Sequence, residues 1–144
     1  MASTDAGSDA WRTVLWRGAV IPAHLLALDV RRRLDEQRQR ALSRYYLDAG
    51  AGGMAVGVHS TQFAIRERGL YRPVLELAMH EARHWQPLGG PRPLVMIAGL
   101  TGPTPQAMAE ARTAQELGYH AGLLSLAALR GQNEDALVAH CRAV

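Results

Sequence analysis

The chain has 144 residues with 16 basic and 13 acidic side chains, and every basic one is Arg; no Lys occurs. A chain without Lys offers no ε-amine for a Schiff base or for nucleophilic attack. Its length suits one domain and falls well short of the roughly 250 residues of a complete (β/α)8 barrel.

Residues 1–16 read as a tail and lead-in, with Trp11 and Trp16 placed to cover one end of a core, and residues 17–144 read as the folded unit. There the chain alternates. A first apolar run, Gly18-Ala19-Val20-Ile21-Pro22, precedes a helix over 34–49, where Leu34, Ala41, Leu42, Tyr45 and Tyr46 recur at helical spacing; Asp35 is its expected N-cap and Gly50 its stop. A second run, Gly53-Met54-Ala55-Val56-Gly57-Val58, is followed by the loop His59-Ser60-Thr61-Gln62 and a helix over about 73–85, with Val74, Leu75, Leu77, Ala78 and Ala82 inward. Residues 88–93 form a Gly/Pro-rich turn. The third run, Leu94-Val95-Met96-Ile97-Ala98, leads to a helix with Thr104 as N-cap, Pro105 first in the helix and Gly118 after its end. A fourth run, Ala121-Gly122-Leu123-Leu124-Ser125-Leu126, precedes a helix capped near Asn133 with Glu134 and Asp135 in its first turn.

Four βα units of about thirty residues, with continuously apolar strands, are the pattern of parallel strands covered by helices. A doubly wound sheet and half of a (β/α)8 barrel both have this order. After the first strand stands Pro22-Ala23-His24 rather than a dinucleotide-binding glycine fingerprint, so the half-barrel is the expected fold.

Several function classes fall away. No apolar run approaches the roughly 18 residues of a membrane span, so no membrane partner is expected. The first ten residues are small and polar, and the single Cys141 has no partner within the chain for a disulfide; a cytoplasmic location follows. A net charge of +3 is modest, and Arg31, Arg32, Arg33, Arg38, Arg40 and Arg44 read as a solvated helix face, so no nucleic-acid partner is expected either. Cys141 is expected to be a buried small hydrophobe.

One motif stands apart. His80-Glu81-Ala82-Arg83-His84 is an HExxH, which on a helix places two His on one face as zinc ligands with a Glu beside metal-bound water. A zinc hydrolase also needs a third ligand, and no following Gly-x-x-His supplies one. Within the βα repeat this helix belongs to the outer ring, with His80 and His84 toward solvent, so no metal and no cofactor are expected. His120 and His140 have no partner in sequence, and Tyr45, Tyr46 and Tyr71 read as packing residues.

At the level of residues the chain resembles the dihydrodipicolinate synthase and N-acetylneuraminate lyase family of class I aldolases, over the N-terminal half of such a protein only. The stretches that carry the resemblance are Gly18-Ala19-Val20-Ile21-Pro22-Ala23, Tyr45-Tyr46-Leu47-Asp48-Ala49-Gly50-Ala51-Gly52-Gly53, Ile97-Ala98-Gly99 and Ala114-Gln115-Glu116-Leu117-Gly118-Tyr119-His120-Ala121. It implies a lyase barrel in which a Lys on strand six forms a Schiff base with pyruvate or a related keto acid, assisted by a Tyr after strand four. It also implies that residues after strand two hold the carboxylate through hydroxyl and backbone N–H donors. The loop here departs from the family's Gly-Thr-Thr-Gly-Glu. Without a gap, Val58 and His59 occupy the hydroxyl pair; shifted, Ser60 and Thr61 do. Ser60 and Thr61 are the expected substrate-binding pair because Val has no donor. Capping of the next segment is the other use of these two hydroxyls. His24 and His59 lie in loops at the C-terminal face of the strands, where barrel sites are built, and His59 is the better candidate for ligand contact.

After the fourth strand, where the family has Thr-Pro-Tyr-Tyr, stands Ser125-Leu126-Ala127-Ala128-Leu129, which holds no phenol. No catalytic residue is therefore assigned within the 144 residues, and the chain is expected to be inactive alone. Its expected ligand is a small keto acid or aldehyde. Unpaired sheet edges and an open apolar interior predict a homo-oligomer or a complementing half-barrel. The alternatives are a small-carboxylate binding module, a self-associating structural module, and the zinc hydrolase through His80, Glu81 and His84.

Overall fold

A computed structural model of the chain describes residues 10–85 and 92–144. The expected tail over residues 1–9 and most of the expected turn over 88–93 lie outside the described residues.

The elements run in the order α1 (Ala10–Arg17), α2 (Glu36–Asp48), β1 (Gly53–Val56), α3 (Tyr71–His84), β2 (Val95–Leu100), α4 (Thr104–Leu117), β3 (Ala121–Leu124) and α5 (Glu134–Ala143). The strands form one parallel sheet in the order β1-β2-β3, with Gly53 opposite Val95 and Ile97 opposite Ala121. The first apolar run also lies parallel to β1, but only as a bridge between Ala23 and Ala55. Gly52 and Ala55 donate from their backbone N–H groups to Val20 and Pro22, and His24 donates back to Ala55. Pro22 has no N–H to give, which limits this fourth strand position to an interrupted ladder.

Side chains alternate across the sheet. Met54 and Val56 of β1 and Met96, Ala98 and Leu100 of β2 are buried against Leu47, Val74, Leu75, Ala78 and Ala114 from the helices. The other face carries Ala55, Gly99 and Leu123. Among the described residues nothing covers its β3 end, where Leu123 is 56% exposed. All three strands are thus packed on one side by helices, the arrangement of a barrel wall seen from outside.

Local chemistry accounts for the helix ends. Asp35 caps α2 through its side chain on Arg38 N, Asn133 caps α5 on Ala136 N, and Gly118 closes α4 in the left-handed conformation. At α4 the extended residue is Pro103, one before the expected cap, so Thr104 and Pro105 both stand inside the helix. The lead-in is helical, and only one of its tryptophans covers the core: Trp11 stacks on His120 with ring centroids 5.5 Å apart, whereas Trp16 is 90% exposed. Tyr71 is buried as expected, but Tyr45 is exposed on α2, and Cys141 is exposed on α5 rather than buried.

The arginines are not a free solvated face. Arg31, Arg32 and Arg33 lie in a turn before α2, where Arg33 pairs with Asp29, and Arg40 and Arg44 reach from α2 to α3 to clamp the buried Glu81. Arg38 pairs with the capping Asp35.

Candidate functional site

The C-terminal ends of the strands converge on an open groove of about 460 Å³. Ile21 and Ala23 line it from the first run, Ala55 and Val58 from β1 and its exit, Gly99 and Leu100 from β2, and Leu123 and Leu124 from β3. Its polar groups are few: His59 and Ser60 on one side and Ser125 on the other. A mostly apolar concavity with sparse polar groups at this end of a parallel sheet suits a small ligand.

The loop after β1 is built to hold His59 and Ser60 at the rim. Gly57 turns the chain with φ +75°, and a Cβ there would sit 2.9 Å from the Tyr71 ring. Residues His59–Thr61 form one 3₁₀ turn and Phe63–Ile65 another. His59 is exposed and meets the Phe63 ring edge-on at 5.4 Å.

Thr61 lies elsewhere. It is fully buried, its hydroxyl donates to His24 O at 2.6 Å, and it accepts from Gly57 N at 3.0 Å. That hydroxyl is committed to joining the first run to the exit of β1, and Thr61 does not line the groove. The expected pair Ser60 and Thr61 is therefore divided: Ser60 faces the groove with His59, and Thr61 fastens the loop beneath them.

His24 is likewise inside the protein rather than at the groove. Its Nε2 donates to Ser43 Oγ at 2.8 Å, the Ser43 hydroxyl donates in turn to Gln39 O at 3.1 Å, and Gln39 Nε2 donates to His24 Nδ1 at 2.9 Å. Burial holds its imidazole below the ordinary histidine range, although the Leu25 carbonyl beside it acts the other way.

Beneath the loop, Arg66 reaches four acceptor atoms on three residues. It donates to Gly57 O at 3.1 Å, to Gly99 O at 3.0 Å, and to both oxygens of Glu110 at 2.8 Å each. Glu110 also accepts from Thr101 N and Gln106 Nε2. Tyr71 donates its hydroxyl to Gly99 O at 2.8 Å, and its phenol is pushed well up by burial and by the Glu110 charge, against the opposing effect of Arg66. A Cβ at Gly99 would lie 2.3 Å from Gly57 O, so the two strand ends approach closely only because position 99 has no side chain. Glu110 reads from the sequence only as a residue of a repeat helix, and its pairing with Arg66 leaves no sequence signal because the two stand 44 residues apart on different elements.

The HExxH lies at the C-terminal end of α3, and none of its residues lines the groove. His80 and His84 are exposed, as expected for an outer-ring helix. Glu81 is 3% exposed and binds Arg40 and Arg44. Burial pushes its carboxyl up, but the hydrogen bonds from Arg44, Arg40 and His80 outweigh that and leave it at about 2. A carboxylate so held has no free oxygen for a general base's work. Among the described residues no group of three or more His, Cys, Asp and Glu side chains is placed to hold a metal ion. His120 and His140 have structural partners: Met96 N donates to His120 Nδ1 at 3.0 Å, and His140 Nδ1 lies 2.8 Å from Thr104 Oγ1.

No protein-family model matches the chain, and no curated protein matches it significantly. Among the described residues no helix is long and apolar enough to cross a membrane. Solved structures do match. A dihydrodipicolinate synthase from Bacillus clausii superposes with a TM-score of 0.75 at 10% identity, over 94% of this chain and 42% of its own. A dihydrodipicolinate synthase from Aquifex aeolicus gives 0.62 at 20%, over 74% and 33%, and an N-acetylneuraminate lyase from Mycoplasma synoviae gives 0.62 at 14%, over 74% and 35%. The chain thus spans between a third and just over two fifths of these relatives' length, and at such identities the likeness is one of fold. With its parallel sheet, outer helices and groove at the strand ends, the chain has the α/β fold of part of a dihydrodipicolinate synthase or N-acetylneuraminate lyase barrel.

Proposed function

We propose that the chain is an aldolase-type half-barrel whose groove binds a small keto acid, such as pyruvate, or an aldehyde through Ser60 and His59. The supporting observation is the placement of these two residues, with Ser125 opposite, as the polar groups of an otherwise apolar concavity at the strand ends. The Ser60 hydroxyl and the backbone N–H donors of its turn serve the carboxylate, and the apolar walls take the carbon chain. Thr61 acts on the ligand only through the loop it fastens.

Imine formation is a different matter. It needs a primary amine, and these 144 residues hold no Lys. Imine turnover therefore requires an amine from outside these 144 residues, such as one on a complementing polypeptide. The uncovered sheet face carrying Leu123 supports a second half-barrel as partner, supplied by another copy or by that polypeptide. A reducing, cytoplasmic setting suits the lone exposed Cys141.

Binding is tested by titrating pyruvate into the purified chain and following amide shifts. Saturable shifts confined to residues around 57–63 and 123–125, lost in Ser60→Ala, support the reading; shifts absent or indifferent to Ser60 overturn it. Borohydride reduction with pyruvate present is expected to add no mass to any side chain.

A further inference from the structure

We propose that His80 and His84 form a two-nitrogen site for one borderline divalent transition ion, of the Cu2+, Ni2+ or Zn2+ class, on the outward face of α3. The two imidazoles stand one turn apart, with ring centroids separated by 4.2 Å and planes inclined by 27°. Two nitrogens on a tetrahedral ion with bonds near 2.05 Å lie about 3.3 Å apart. Stacked rings hold their lone pairs in nearly parallel planes, so chelation turns both exposed rings until their Nε2 atoms converge.

Outer partners stand within reach of both rings. His84 Nδ1 lies 2.8 Å from His80 O and donates to it, which leaves the Nε2 lone pair outward. His80 Nδ1 lies 3.2 Å from Glu81 Oε1. Arg40 Nη1 approaches the same Nδ1 at 3.1 Å as a donor, so coordination at His80 Nε2 requires Arg40 to give way and Nδ1–H to donate to that carboxylate. An imidazole tied at Nδ1 to a carbonyl or a carboxylate, with Nε2 free, is the arrangement that metal-bound histidines require.

Charge decides which ions fit. Arg40 and Arg44 together exceed the Glu81 charge by one, and Arg40 Nη1 stands 3.1 Å from His80 Nδ1. The site thus has no surplus negative charge and no free oxygen ligand, which disfavours Ca2+ and Mg2+. Its attraction rests on nitrogen donors, which favour Cu2+ over the other first-row ions. With two protein ligands and open positions for water it is not the hydrolase centre of an HExxH enzyme, because Glu81 is turned inward and bound.

The experiment is a Cu2+ titration of the full chain, read by electron paramagnetic resonance and calorimetry. One equivalent should bind with nitrogen hyperfine structure from two imidazoles. Both His80→Ala and His84→Ala should weaken it by at least about tenfold, since loss of a ligand costs no less than loss of its outer partner. Cys141→Ser, which removes the exposed thiol as a rival ligand, should leave it unchanged. Bound Cu2+ should also raise Tm, and neither His variant should show that rise. No saturable binding, binding that survives either His substitution, or binding lost with the thiol overturns the proposal.

Discussion

Arg66 grips Glu110 with two parallel hydrogen bonds of 2.8 Å, from Nε to one carboxylate oxygen and from a terminal nitrogen to the other, in a pair only 11% and 8% exposed. The remaining guanidinium donors reach the carbonyls of Gly57 and Gly99, so one side chain latches the ends of β1 and β2 to α4. A planar five-donor fork does this where a single ammonium does not.

Removing one partner of this pair leaves an uncompensated buried charge. Glu110→Gln or Arg66→Met should each destabilise the fold by about 3–5 kcal/mol, and the double variant by less than the sum. Arg66→Lys should rescue little. Urea denaturation of the four variants and the parent measures this, and strict additivity would show that the pair is not coupled.

Ser60 and Thr61 are adjacent in sequence and should behave oppositely. Thr61→Val strips a partner from two buried backbone groups, Gly57 N–H and His24 C=O, and should cost about 1–3 kcal/mol. Ser60→Ala should leave the denaturation midpoint within about 0.5 kcal/mol of the parent while weakening keto-acid binding. Equal stability effects at the two positions would contradict the division of roles.

Acid should destabilise the protein in two windows. The folded His24 has a pKa below 6.5, so as pH falls beneath 6.5 the unfolded chain takes up the proton first. Stability is therefore full above 6.5 and declines as pH drops toward the folded value, and His24→Gln should flatten that decline. Glu81, depressed from 4.5 to about 2, contributes stability that is present above 4.5 and lost as pH falls to about 2. Urea midpoints measured across pH check both windows.

The uncovered sheet face should govern assembly. Leu123→Glu places a charge on it and should shift the chain toward monomer and reduce binding of an apolar dye, as read by sedimentation velocity and fluorescence. An already monomeric parent with no dye binding would count against a partner on this face.

Much of the fold was legible because its signals are local. Asp35 before α2, Asn133 before α5 and Gly118 after α4 act within four residues of where they stand, and the apolar runs of β1, β2 and β3 need no knowledge of the rest. The cap of α4 was misplaced by one residue because Pro103 and Thr104 both suit a helix start, and the backbone angles choose between them. The site was legible only as a region. Whether Ser60 or Thr61 faces the ligand depends on His24, 37 residues earlier, whose carbonyl claims the Thr61 hydroxyl. The fate of Glu81 depends on Arg40 and Arg44 across two helices. Such long-range partners leave no trace in spacing.

The sheet has another property that follows from its parallel strands. Its two borders, the first run at one side and β3 at the other, point the same way, so each offers a complementary lip to the other border of any similar sheet. A wall of this kind carries no internal rule for how many staves it has. Strand tilt and stagger, rather than recognition at a particular border, set where the ring closes.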